Sequence, residues 1–147
     1  MNRRRVVITG LGAVTPLAVG VEENWRALCA GKSGIGPITR FDATPFKCKV
    51  AGEVKDFHSE DFITDAKFRR RLDRFIHFAV ACSNMALEDS GLVIDSGNNE
   101  RVGVVLGTAV GARGTVESAH EMVLGGQADR VSPFFLVNIT PNMGAGV

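Results

Sequence analysis

The side chains that most often perform covalent chemistry are few and scattered in this sequence. They are three cysteines and three histidines: Cys29, Cys48, Cys82, His58, His77 and His120. The cysteines form no C-x-x-C pair and the histidines do not cluster, which argues against a zinc site. No serine lies on a G-x-S-x-G turn, and no cysteine lies among small residues at the end of a strand. The spacing therefore predicts no catalytic residue and no metal site in this chain, and the cysteines are interpreted as structural.

A dense group of cations is the clearest candidate for binding. Five basic residues fall within eight positions: Lys67, Arg69, Arg70, Arg71 and Arg74. The pattern places them just before and within the first turns of a helix, the end of a helix that disfavours positive charge. Two interpretations stay open, a docking surface for an acidic partner and a plain solvated face. Nearby Asp61 and Asp65, and the lack of interleaved exposed aromatic residues, argue against nucleic acid.

A glycine pair follows the first apolar run, in Val7-Ile8-Thr9-Gly10-Leu11-Gly12-Ala13-Val14-Thr15-Pro16. A strand followed by G-x-G could begin a dinucleotide-binding loop. However, Thr15 takes the place of the third glycine, and the next helical pattern begins only near Val21. We therefore favour a loop at a strand end whose glycines supply positive φ angles.

Two further segments could contact a ligand. Gly107-Thr108-Ala109-Val110-Gly111 follows an apolar run, at the kind of strand end where α/β folds bind ligands. Close helix–sheet packing explains this segment equally well. Ser132-Pro133-Phe134-Phe135-Leu136-Val137 begins with a Ser–Pro signal for a helix start. Its adjacent phenylalanines cannot face the same core, so one of them meets a partner chain or apolar ligand, or is half covered by a neighbouring loop.

The elements that would position these residues follow an α/β pattern. Arg5–Thr9 and Val102–Leu106 are continuous β-branched runs, which predict strands buried on both faces. The spacing predicts helices over Val21–Ala30, Arg71–Asp89 and Gly114–Leu124. The first carries Trp25, Leu28 and Cys29 on its apolar side, and the second has an apolar arc broad enough to lie deep in the fold. Thr39–Asp56 is predicted to be a loop with a hairpin.

Composition sets wide limits. The 147 residues are 45% apolar and 22% charged, with a net charge of +1, which suits one globular domain and suggests no anionic partner for the chain as a whole. Met1-Asn2-Arg3-Arg4-Arg5 before an apolar run imitates a signal peptide, but glycines and Pro16 interrupt the run. The odd cysteine count favours a reducing cytoplasm.

Taken in order, the segments resemble the elongating β-ketoacyl-[acyl-carrier-protein] synthases (type II, with type I a near relative). The resemblance begins at R-R-V-V-I-T-G-L-G-A-V-T-P-L and continues along the whole chain. The further matching segments are Trp25–Leu28, Gly31–Ile35, Arg40–Asp42, Ala51–Phe57, Asp73–Phe75, Ala86–Gly91, Ser132–Phe135 and Asn142-Met143.

The resemblance implies the thiolase-like fold, layered α-β-α-β-α, of which this chain would be part of the N-terminal half. It implies a homodimer, no cofactor, and condensation of acyl-ACP with malonyl-ACP in fatty-acid elongation. In that family the nucleophilic cysteine and the two histidines follow the region that this chain covers, so we expect residues 1–147 to form an N-terminal domain without them. The resemblance therefore implies no catalytic residue here and an isolated chain without activity.

Peripheral roles do carry over from the resemblance. Val110, Phe135 and Leu136 match positions that line the acyl pocket. A second set matches basic positions that dock the acidic carrier protein: Lys67, Arg70, Arg71 and Arg130. Asp129 stands where the family often has another cation, which weakens that part of the surface. The alternatives are a non-condensing, carrier-protein-binding homologue such as a chain-length-factor-like subunit, and a dinucleotide-binding domain.

Overall fold

The computed structural model describes residues 4–147, so the predictions that involve Met1, Asn2 and Arg3 lie outside the described part. The chain divides into two compact units, one made of residues 4–58 and Asn84–Gly91, the other of Ser59–Ser83 and Leu92–Val147. The helices are α1 (Val21–Cys29), α2 (Ala66–Arg69), α3 (Arg74–Ser90), α4 (Arg113–Leu124), α5 (Phe135–Ile139) and α6 (Met143–Gly146). The strands are β1 (Ile35–Pro37) and β2 (Val50–Gly52), and short 3-10 helices span Ser59–Asp61, Asn99–Arg101 and Ala128–Arg130.

The hairpin is confirmed, with its first strand earlier than predicted. Strands β1 and β2 are antiparallel, and Gly36 lies opposite Ala51. The Glu53 carboxylate acts as a clamp on the segment that follows β1, because it accepts hydrogen bonds from the Thr39 amide and hydroxyl and from the Arg40 amide. The hydrogen bonds from Thr39 hold the pKa of Glu53 below its usual value, so the clamp keeps its charge at neutral pH.

The two predicted buried strands are wrong for this structure. Neither Arg5–Thr9 nor Val102–Leu106 forms a ladder with any of residues 4–147, and Val6 and Val105 are 94% and 99% exposed. β-branched composition favours an extended backbone, but a strand also needs a neighbouring backbone that pairs with it. The two runs favour an extended backbone, but the described residues offer them no neighbouring backbone to pair with.

Helix α1 forms as predicted, but the other face is buried. Asn24 and Ala27 are buried, whereas Trp25, Leu28 and Cys29 are exposed. The preceding loop explains this, because the Asn24 amide donates to the carbonyls of Ala18 and Gly20 at 2.9 and 2.6 Å and accepts from the Thr15 hydroxyl. A polar side chain can be buried when its hydrogen bonds are made within the fold. Thr15, the residue in the third-glycine position, therefore fastens a loop to a helix.

Gly10 is needed for close packing, which corrects the prediction of a positive φ angle. It is absent from the glycines with positive φ. A Cβ atom at Gly10 would overlap the Ala86 carbonyl oxygen and lie 2.7 Å from the Ser90 amide nitrogen, both on α3. The next amide, of Leu11, donates to the Asp89 carboxylate at 2.8 Å. Because helix α3 occupies the space beside Gly10, the dinucleotide interpretation loses its basis.

The apolar core of the second unit lies where α3 begins. Its buried members are Ile63, Leu72 and Ile76, the last of them 0% exposed, and the half-buried residues around them are Phe62, Phe75, Val80 and Met143. The predicted depth of this helix is therefore confirmed for its N-terminal half only. Helix α4 is tied to the same place, since the Thr115 hydroxyl donates to the Asp73 carboxylate at 2.5 Å.

Candidate functional site

The basic segment forms a helix of its own. Asp65 caps α2, accepting hydrogen bonds from the amides of Lys67 and Phe68 at 2.8 and 3.0 Å. These amides, Phe68 first, hold the pKa of Asp65 below its usual value, and the positive charges of Arg71 and Arg69 act in the same direction. A four-residue helix cannot persist without such tertiary and capping contacts.

A break between α2 and α3 corrects the predicted single helix from Arg71. The Arg71 and Leu72 amides donate to the carbonyls of Phe68 and Arg69 in tight turns, and α3 starts only at Arg74. Lys67 and Arg69 therefore lie in the last turn of α2, the end of a helix that favours cations. Buried Leu72 anchors the turn from below.

Three of the predicted docking cations lie on or directly after α2. Lys67, Arg70 and Arg71 are exposed. The Arg70 Nε donates to the Ala66 carbonyl at 3.2 Å, which holds the start of its side chain along the helix. The guanidinium carbon of Arg71 lies 4.5 Å from the centroid of the Phe134 ring. Such stacking leaves the edge of a guanidinium group available to an anion.

The fourth predicted cation, Arg130, lies four residues before this ring in the sequence. Phe134 follows a turn in which its amide donates to the Ser132 hydroxyl at 3.2 Å, and Arg130 ends the short 3-10 helix just before this turn. Arg130 is exposed and donates to the Gln127 side chain at 3.3 Å. We call Lys67, Arg70, Arg71 and Arg130 the basic surface. Exposed cations held on ordered backbone can attract and orient an acidic partner.

The predicted acyl-pocket residues do not share one cavity. Phe135 lines an apolar cavity of about 300 Å³ beside α4, together with Val116, Ala119, His120, Val123 and Val131. Val110 and Leu136 lie outside its lining and are 62% and 69% exposed. The adjacent phenylalanines do point apart as expected, one beneath Arg71 and one into this cavity.

The glycine-containing segment after Val102–Leu106 lines a second apolar cavity of about 260 Å³. Gly107 and Thr108 form one side of it, and Phe75, Phe78 and Cys82 of α3 form the other. The Thr108 hydroxyl accepts a hydrogen bond from the Gly111 amide at 3.0 Å and so shapes the turn. The predicted ligand-binding position thus borders a cavity large enough for a short apolar group.

The cysteines differ in exposure, which corrects the view that Cys29 is shielded on an apolar face. Cys29 and Cys48 are exposed and Cys82 is half buried, and these three cysteines are not joined in disulfides. Among residues 4–147, no group of three or more His, Cys, Asp or Glu side chains is placed to hold a metal ion. No helix in the same part of the chain is long and apolar enough to cross a membrane.

Iodoacetamide should therefore alkylate Cys29 and Cys48 several-fold faster than Cys82 in the folded chain, because access differs. Timed quenching followed by peptide mass spectrometry measures the three rates. In 6 M guanidinium chloride, as a control, the rates should converge. Preferential labelling of Cys82 in the folded chain would contradict this assignment of exposure.

Sequence reasoning missed the contacts that hold the basic surface in place. The His77 imidazole reaches back to the Arg69 carbonyl, and the Arg69 guanidinium donates to the Ile63 carbonyl. Arg69 was grouped with the other cations, although its charge faces inward. A cation three residues before apolar Leu72 gives no signal in sequence that separates these two orientations.

Comparison with known proteins relates the whole arrangement to one family. Residues 3–147 match the family "Beta-ketoacyl synthase, N-terminal domain". Two curated relatives, each called 3-oxoacyl-[acyl-carrier-protein] synthase 2, are 42% identical in Synechocystis sp. and 44% identical in Coxiella burnetii over 100% of this chain. The chain spans 35% of the length of each. A solved structure titled "The ishigamide ketosynthase/chain length factor" superposes on 97% of the chain, and on 35% of its own, with a TM-score of 0.79 and 32% identity.

Proposed function

Because this chain belongs to the β-ketoacyl synthase family, with that family's thiolase-like fold, we propose that it is part of a 3-oxoacyl-[acyl-carrier-protein] synthase of fatty-acid elongation. The observation that carries this proposal is the match over 100% of this chain, at 42% and 44% identity, to relatives that bear this name. The enzyme would be an acyltransferase that condenses acyl-ACP with malonyl-ACP.

In the proposed reaction an acyl group passes from its carrier protein to a cysteine thiolate. Malonyl-ACP then loses CO₂, and the carbanion that remains attacks the thioester to give 3-oxoacyl-ACP. This chemistry needs a reactive thiolate, an oxyanion hole and groups that stabilise an enolate. Cys29, Cys48 and Cys82 match no nucleophile position of the family, so this chain contributes binding rather than bond-making groups.

The binding role is assigned to the basic surface and the neighbouring apolar side chains. Lys67, Arg70, Arg71 and Arg130 would contact the acidic carrier protein. Val110, Phe135 and Leu136 would line the acyl pocket in a homodimer, where a second subunit can complete the wall around the exposed pair. A cytoplasmic location fits three cysteines that are not joined in disulfides.

The proposal predicts a strict division of activity. The complete synthase should convert acyl-ACP and malonyl-ACP into 3-oxoacyl-ACP with release of CO₂. Mass spectrometry of the carrier protein measures formation of this product. The 147-residue chain should give no product above the uncatalysed background, because it lacks a matched nucleophile. Turnover by the chain alone would refute the assignment of residues, and failure of the complete protein would refute the function.

A second candidate, a chain-length-factor-like subunit, is favoured by the likeness to the ketosynthase/chain length factor structure. Such a subunit would bind carrier protein without condensing anything. It would be inactive alone even as a complete protein and would form product only when mixed with an active ketosynthase. The mixing assay therefore separates the two candidates.

A further inference from the structure

The turn that carries Arg70 and Arg71 of the basic surface is contacted by a side chain of α3. The His77 Nε2 lies 3.0 Å from the Arg69 carbonyl oxygen, eight residues earlier. A carbonyl oxygen only accepts hydrogen bonds, so Nε2 carries the proton and His77 is the donor. His77 belongs to the first turn of α3, the helix whose Ile76 is fully buried.

The Arg69 carbonyl needs a hydrogen-bond donor from outside α2. It is one of the last carbonyls of α2, a group that a helix cannot satisfy from within itself. It accepts the Leu72 amide at 3.2 Å as well as the His77 imidazole. This carbonyl belongs to the peptide group between Arg69 and Arg70. A hydrogen bond that fixes the orientation of this peptide group therefore also sets the direction in which Arg70 and Arg71 leave α2.

Other contacts fix the same segment on either side of the Arg69 carbonyl. Asp65 caps the first turn of α2, and the Arg69 Nη1 donates to the Ile63 carbonyl at 2.6 Å. Leu72 is buried beside Ile63 and Ile76. Between these anchors, the Arg70 amide donates to the Ala66 carbonyl at 3.3 Å and the Arg71 amide donates to the Phe68 carbonyl at 2.9 Å.

We propose that His77 is a positioning residue for carrier-protein docking, which it serves by donating to the Arg69 carbonyl and so holding the Arg70–Arg71 turn of the basic surface. The inference rests on the proposed function and adds to it a residue that touches neither the carrier protein nor the acyl chain. A preorganised surface binds more tightly because less ordering remains to be done on binding. Loss of the contact should therefore weaken docking without changing the chemical step.

The test compares His77→Ala with His77→Gln in the complete synthase. Removal of the donor should raise KM for acyl-ACP about three- to tenfold, the factor by which one net hydrogen bond shifts an equilibrium. The value of kcat, and the use of an acyl-pantetheine without carrier protein, should stay within about twofold. Glutamine keeps an N–H donor and should restore most of the affinity, and His58→Ala, an exposed histidine elsewhere in the chain, serves as the matched control.

Hydrogen exchange of the complete protein supplies a readout that does not depend on activity. In His77→Ala, the peptide that contains the Arg71 and Leu72 amides should exchange faster than in the wild type. Unchanged exchange, or equal losses on acyl-ACP and acyl-pantetheine, would overturn the role of His77. Wild-type protein that makes no 3-oxoacyl product would instead overturn the proposed function and with it the docking role, whatever the exchange shows.

Discussion

Replacement of Arg70 and Arg71 by glutamate in the complete synthase should raise KM for acyl-ACP about tenfold or more at low salt. The double change reverses two of the four cations of the basic surface, and electrostatic attraction of this kind alters encounter rates about 10- to 1,000-fold. Turnover at saturating acyl-ACP should fall much less. The defect should shrink as salt rises, because charges on the surface are screened beyond ~8–10 Å at physiological ionic strength.

Matched controls separate docking from folding. Arg70→Glu reverses one charge and leaves the Arg71 guanidinium on the Phe134 ring, although it also removes the hydrogen bond from Arg70 to the Ala66 carbonyl. Arg101→Glu makes the same charge change at another exposed arginine and should leave KM unchanged. An acyl-pantetheine should be used equally well by all variants. Equal losses on both substrates would show that the arginines stabilise the fold, and no loss on either would identify the cluster as a solvated face.

Local signals predicted the helices well. Gly125-Gly126 ends α4 as expected, with Gly126 at a φ of 71°, and Ser132 starts the turn into α5. These features depend on a few consecutive residues, and each residue type has one dominant physical reason to be there. The family resemblance worked for the same reason, because it rests on short motifs in a fixed order.

What failed depends on which backbone groups each polar side chain hydrogen-bonds. The apolar pattern of α1 favoured burial of Trp25. Instead, the Asn24 amide donates to the Gly20 carbonyl of the preceding loop, and the face of α1 that carries Asn24 and Ala27 is the buried one. The basic cluster was assigned to the start of α3, because composition cannot show that Asp65 caps a separate short helix. The inward direction of Arg69 depends on the Ile63 carbonyl, six residues earlier in the loop that precedes α2. Spacing alone contains none of these choices.

Gly10→Ala should be among the most destabilising single-methyl changes in this chain. The added Cβ would overlap the Ala86 carbonyl oxygen and lie 2.7 and 2.8 Å from the amide nitrogen and Cβ of Ser90. These are mainly backbone atoms of α3, which cannot rotate away as the end of a flexible side chain can. Overpacking of this kind costs about 1–3 kcal/mol, and a backbone clash belongs at the upper end. If the added Cβ pushed residue 10 away from α3, the hydrogen bond from the Leu11 amide to the Asp89 carboxylate would also break.

Thermal unfolding, followed by circular dichroism, should show the difference against a matched glycine. For a chain of this size, about 3 kcal/mol lowers Tm by roughly 6–12 °C. Gly107 also follows an apolar run that was predicted to be a strand, but a Cβ there would meet nothing within 4 Å, and its φ is not positive. Gly107→Ala should therefore leave Tm within about 2 °C, or raise it slightly because alanine restricts the unfolded chain. Equal behaviour of the two variants would mean that Gly10 does not pack against α3.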